Sequence, residues 1–215
     1  LGATVGRGQA FPFEPVLVPA ALPGMPGLHS FAWAEWQGQW LLVGGRKDGL
    51  HNFRPMTGFP PAGRNDSLFA INPHTRQVAG VPTAAFPEPV RSQFESTNAQ
   101  FYQRGKYLVI TGGYGKSNAT GQYISYPVLS VIDVPAMLGA IAQGTPPAPH
   151  VRWVADTLFA VAGGALAMLD GVFYQVGGHR FDGWYHPMPN APGVGFTQRY
   201  IAAALRFGLN PEAPN

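Results

Sequence analysis

The chain has 215 residues, enough for one core, and only 12% of them are charged, 14 Lys and Arg against 11 Asp and Glu. A net charge of +3 scattered along the chain speaks against a nucleic-acid surface, and no apolar run is long enough for a membrane span. The absence of cysteine excludes disulfides and thiolate metal sites.

Gly (28) and Pro (22) are abundant, yet 46% of the residues are hydrophobic and 13% aromatic. That much apolar surface argues against disorder and for many short strands joined by turns. Residues 11–23, "FPFEPVLVPAALP", read as an extended segment. "HSFAWAEW" and "QWLLV" then flank the turn Gln37-Gly38-Gln39, and the second strand stops at Gly44-Gly45. A loop over 46–65 leads into "RNDSLFAINPHTRQV", residues 64–78, a strand that turns at Asn72-Pro73. The pattern returns as "NAQFYQ", the turn Arg104-Gly105-Lys106 and "YLVITGG", with "PVLSVIDVPAM" (127–137) as its third strand. It returns again as "ALAML", Asp170-Gly171 and "VFYQVGG", followed by a long loop over 179–199. "RYIAAALRFGLNPE" (199–212) then serves as the third strand, although Ala, Leu and Arg also favour a short helix there.

The three glycine pairs, 44/45, 112/113 and 177/178, are spaced by 68 and 65 residues. Each ends a strand where the chain must tolerate positive φ. With Gly27, His29 and Ser30 ahead of the first hairpin and Asn72-Pro73-His74-Thr75 after it, the unit resembles a kelch repeat, the blade of galactose-oxidase-like β-propellers. A β-sandwich with fortuitous Gly-Gly pairs is the competing reading. The resemblance implies an all-β chain of kelch-type, four-stranded antiparallel blades: an N-terminal segment over 1–26 holding a ring-closing strand, then blades over 27–93, 94–158 and 159–215. Propellers have about 4–8 blades, so three make an incomplete ring. The ring is therefore expected to be completed by another polypeptide, a second copy or a further segment of a longer precursor. The copper and Tyr–Cys crosslink of galactose oxidase cannot form without cysteine, and no cofactor is expected.

The two long loops follow Gly-Gly pairs and should emerge on one face. They carry Arg46, His51, Arg54 and Arg64, then His179, Arg180, Trp184, Tyr185 and His186, while Arg91 and Glu95 stand at the head of the second blade. Arg beside Trp and Tyr is the composition of binding hot spots and suits sugar rings. The same aromatics could simply pack the loops down. The six histidines lack ligand spacing, so no metal is expected. No Gly-x-Ser-x-Gly elbow occurs, and "GGYGKS" lacks the glycine spacing of a phosphate loop. Two functions stay open: a non-catalytic binding or scaffold module, exported to the periplasm or cell surface, that holds a protein or glycan; or a sugar-processing enzyme resembling kelch mutarotases, with a site at the channel mouth. A cytoplasmic location is the alternative.

Overall fold

The computed structural model describes residues 14, 16–50, 52–55 and 57–212. Among them the chain builds four antiparallel sheets of three or four strands, no closed barrel and two α-helices. It is all-β, with sheets arranged like the blades of an incomplete propeller.

The first sheet is a meander of β1 (Ala32–Trp36), β2 (Gln39–Val43), β3 (Ser67–Asn72) and β4 (Gln77–Pro82). "AWAEW" alternates as a strand with one covered face should. Ala32 and Ala34 point into the core, while Trp33 stays 46% exposed on the other face. Asn65 locks the entry to β3: its side-chain amide donates to Gly44 O (2.9 Å) and Ser67 O (2.8 Å). Asn72 closes the β3–β4 turn by accepting from the amides of His74 and Thr75.

The connection to the next sheet contains α1 (Val90–Phe94), and Phe86, Val90 and Phe94 plug the joint between sheets. The second sheet holds β5 (Gln100–Arg104) and β6 (Tyr107–Thr111). After the glycine pair come two short strands, β7 (Tyr114–Lys116) and β8 (Tyr123–Ser125). The second sheet resumes with β9 (Val128–Asp133). β6 and β9 are buried along almost their whole length because both faces are covered. This explains why "YLVIT" and "VLSVI" are nearly continuous apolar runs.

The strand expected over 127–137 stops at Asp133. There the chain turns into α2 (Val134–Gln143), which the sequence reading had not anticipated. Asp133 is its N-cap, accepting from Ala136 N (3.2 Å), and Gly144 closes it at φ 65°. Its Val134, Met137, Leu138 and Ile141 join the core shared by the first two sheets. β10 (Val151–Ala155) then completes the second sheet as its outer strand.

The third sheet has only three strands: β11 (Ala165–Leu169) and β12 (Val172–Val176), then a third that comes much later. Between them the chain forms β13 (His179–Asp182) and β14 (Thr197–Tyr200). It re-enters the third sheet as β15 (Ala204–Phe207). The segment expected as one strand over 199–212 is thus divided between two sheets, and no helix forms there. β14, β13, β8 and β7 make a small fourth sheet from the loops that follow the second and third glycine pairs. Leu166, Phe173, Leu205 and Phe207 pack the third sheet against Val109, Leu129 and Val131 of the second.

The first strands β1, β5 and β11 lie side by side, as inner strands around an axis do. Gln103 ties two of them together: it accepts from Glu35 N (2.9 Å) and donates to Glu35 O (2.6 Å). Of the N-terminal stretch expected to form a strand, residues 11–13 and 15 lie outside the described residues. Residues 16–22 belong to no strand, Pro23 opens a turn, and Val16, Leu17 and Val18 are strongly exposed.

Candidate functional site: the loop face

The antiparallel order puts every Gly-Gly loop and every connection between blade-like sheets on one face. There the 46–65 and 179–199 loops do come together. They meet through an aromatic layer contributed largely by β7 and β8. Phe59 packs 5.1 Å from Tyr114, Tyr114 lies 5.2 Å from Phe181, and Tyr123 stacks on Trp184 at 5.3 Å and 17°. Tyr185 packs on Phe196 and its ring faces Gly58, where a side chain would strike the Asn52 carbonyl and crowd the ring. The Tyr114 hydroxyl donates to Gly183 O (2.8 Å). Burial pushes the phenols of Tyr114 and Tyr123 above their usual ionisation range, that of Tyr114 far above it. Trp184 and Tyr185 therefore serve largely to hold the loops.

Arg46 is 4% exposed. Its guanidinium lies 3.7 Å over the Phe59 ring, grips Asp48 bidentately (2.8 and 2.5 Å) and donates to Pro60 O (2.8 Å). It pins the 46–65 loop from below. Burial raises the Asp48 carboxyl, but the Arg46 hydrogen bond and charge outweigh it, leaving the group below its ordinary range. Arg54 is exposed and its carbonyl caps the turn to Gly58, while His51 lies outside the described residues.

Glu95 is the hub of a second cluster, its side chain 1% exposed. It pairs with Arg64 (3.0 Å) and Arg91 (3.1 Å) and accepts from Thr83 Oγ1 (2.6 Å) and Asn118 Nδ2 (2.9 Å). Arg64 also donates to Asn118 Oδ1 (3.0 Å). The carboxylate thus joins the first Gly-Gly loop, the α1 connection and the second Gly-Gly loop. All of its strong acceptor positions are taken.

β13 and β14 display the remaining candidates. His179 stacks between Phe181 (5.3 Å) and Tyr200 (4.5 Å). His186 accepts from Met188 N at Nδ1 (3.0 Å). Arg180 stands directly opposite Arg199 across the β13–β14 pair. Both are exposed and neither has an acidic partner among the described residues; Tyr200, on the opposite face of the sheet with His179, is 75% exposed. Like charges opposite one another weaken a sheet unless something neutralises them. No group of three or more His, Asp or Glu able to hold a metal occurs among the described residues.

Sequence reasoning missed Tyr114, Tyr123, Asn118, Thr83, Arg199 and Tyr200. The alternation in "GYGKSNATGQYISY" was the available signal for the first three. Arg199 could be found only by knowing that its strand pairs with β13.

No family model matches the chain, and no curated protein matches it. Among solved structures it is similar to one titled "Structure of YjhT". That likeness has 16% sequence identity and a TM-score of 0.44, covering 74% of this chain and 36% of the other. No helix among the described residues is long and apolar enough to cross a membrane.

Proposed function

We propose that this chain is a non-catalytic recognition module of kelch-type blades that holds a protein or glycan partner on its loop face. The observation that carries the reading is the facing Arg180 and Arg199 pair, exposed and without an acidic partner among the described residues, on a small sheet backed by packed aromatics. Two unneutralised guanidiniums facing each other on a rigid support suit a carboxylate- or sulfate-bearing sugar or an acidic peptide. By contrast, Arg46 spends its hydrogen bonds on Asp48 and Pro60 O, and Arg64 and Arg91 spend theirs around Glu95, as scaffold groups do. An exported location fits such a module, and the blades require others to complete their ring.

The test is a glycan and acidic-peptide array probed with the wild-type chain and with Arg180→Ala/Arg199→Ala. Anionic ligands captured by the first and lost at least tenfold by the second support the reading. An unchanged profile removes the site. The second reading, a mutarotase-like enzyme, draws on Glu95 lying between two arginines near the inner strands. It predicts faster anomeric exchange of an acidic sugar by NMR, abolished by Glu95→Gln.

A further inference from the structure

The loops after the first and second glycine pairs face each other across a polar cleft of about 580 Å³, a size that small ligands fill. One wall comes from residues 61–66 with Lys47, the other from residues 116–121.

Both walls are held by the protein itself. Lys47 N donates to Gly63 O (2.7 Å), and a side chain at Gly63 would strike the Arg46–Asp48 pair. On the other wall Gly121 N donates to Ser117 O (2.8 Å), Thr120 N to Ser117 Oγ (3.2 Å) and Asn118 N to Ser92 Oγ (2.9 Å). A ligand entering here finds its contacts already in place, and little binding energy is lost in ordering them.

Charge in the cleft is unbalanced. Lys47, Arg64 and Lys116 line it against one carboxylate, Asp66. Lys47 pairs with Asp66 (3.0 Å). Glu95, the partner of Arg64, is shared with Arg91, so two guanidiniums hold one carboxylate between them. Lys116 is exposed and pairs with no acid among the described residues. Arg64 gives only Nη1 to Glu95 and Asn118; its Nε and Nη2 donate to nothing among the described residues. An uncommitted guanidinium edge and a lone ammonium on facing walls of a concavity concentrate positive potential and fit an oxyanion.

The remaining lining favours hydroxyl groups. Among the described residues no aromatic ring borders the cleft, so nothing there stacks on a flat ligand. The Ser117 hydroxyl accepts from Thr120 N and keeps its own O–H to donate. Asp66 is 61% exposed and gives only Oδ1 to Lys47. A carboxylate beside an anion site repels a bare ion but accepts hydrogen bonds from hydroxyls.

We infer that this cleft is a second binding site, for a small anion that also carries hydroxyl groups, such as a sugar acid or a sugar sulfate. Arg64 and Lys116 hold the oxyanion, and Lys47, Asp66 and Ser117 take the hydroxyls. The site is separate from the Arg180–Arg199 pair. The strand register puts Lys116 on the face of the fourth sheet that carries Tyr123, and Arg180 and Arg199 on the opposite face with Ile124 and Asp182. It does not rest on the recognition reading of that pair.

Amide chemical shifts of the isotope-labelled chain, titrated with glucuronate, a glucose sulfate ester, inorganic sulfate and glucose, test it. Either sugar anion should shift the amides of Lys47 and of residues 116–121, less strongly as sodium chloride is added. Lys116→Glu changes an exposed group, so the rest of the spectrum should stay that of the wild type. Its affinity for the sugar anion should fall by about tenfold or more, and Lys116→Arg should recover most of the loss. A response to glucose equal to that of the anions, a response to inorganic sulfate alone, no response at residues 116–121, or unchanged affinity in Lys116→Glu overturns the site. Arg180→Ala/Arg199→Ala should leave the cleft's shifts intact whatever it does to array binding, so the two sites fail separately.

Discussion

Arg46 and Glu95, both binding candidates from the sequence, are tied into the fold by their own partners. Each is nearly sealed from solvent, and each makes more hydrogen bonds within the protein than a free ligand contact could offer. Removing one partner of such a cluster strands the others without water. Glu95→Ala should therefore lower the unfolding free energy by about 3 kcal/mol in urea titrations. Arg54→Ala, at an exposed turn, should change it by less than about 0.5 kcal/mol. The two loop aspartates give a pH signature. Asp66 is held below its ordinary range by its hydrogen bond from Lys47 (3.0 Å), and Asp48 by Arg46 after burial is overcome. Both folded-state values lie under the unfolded value of 3.8, so the unfolded chain binds protons first as pH falls. The stabilisation is complete above about pH 4 and is lost progressively below it. Melting temperatures between pH 5 and pH 2 should fall, and less steeply in Asp48→Asn/Asp66→Asn; parallel curves would refute the assignment.

Helix α2 is the element on which sequence and structure part most clearly. "IDVPAMLGAIAQG" carries a β-branched run that continues the strand, and this hid a Pro in the first helical turn, an acidic N-cap and a C-terminal glycine. The helix exists because the joint between the first two sheets has room for Met137, Leu138 and Ile141, a tertiary demand invisible to local propensity. The strand–turn–strand units were legible because a Gly-Gly pair needs positive φ whatever surrounds it, and φ is 73° and 87° at Gly44 and Gly45. The fourth sheet was not legible: β8 and β13 come from different repeats and meet only once the fold has formed. The same gap separates the site residues named from sequence from those missed, since Arg180 was visible alone and its pairing with Arg199 was not. Asp133 tests the helix directly. It caps α2 and also pairs with Lys106 (3.0 Å), so Asp133→Ala should cost about 1 kcal/mol and Asp133→Asn, which keeps the cap, clearly less. Equal losses would place the effect in the surface ion pair instead of the cap.

At the scale of the whole molecule the sheets differ in how they are covered. The second is packed on both faces, so Leu108, Ile110, Val128 and Ile132 are all at most 2% exposed. The second face of the first is covered only in part, by residues 22–31, while the third has one open face and, among the described residues, an open edge. Opening free energy follows this gradient, because a strand flanked on both sides releases more apolar contact when it leaves. Hydrogen exchange should therefore be slowest in β6 and β9 and fastest in β15 and in β13–β14. The amides of Gly45 and Gly113 are the discriminating probes, because they bond to Ser96 O (2.7 Å) and Val161 O (2.8 Å) across the joints between sheets. Opening either joint exposes the second sheet, so both amides should exchange as slowly as β6 and β9. Exchange at Gly45 and Gly113 as fast as in β13–β14 would show that the sheets open one at a time, and would refute a gradient set by coverage of the second sheet.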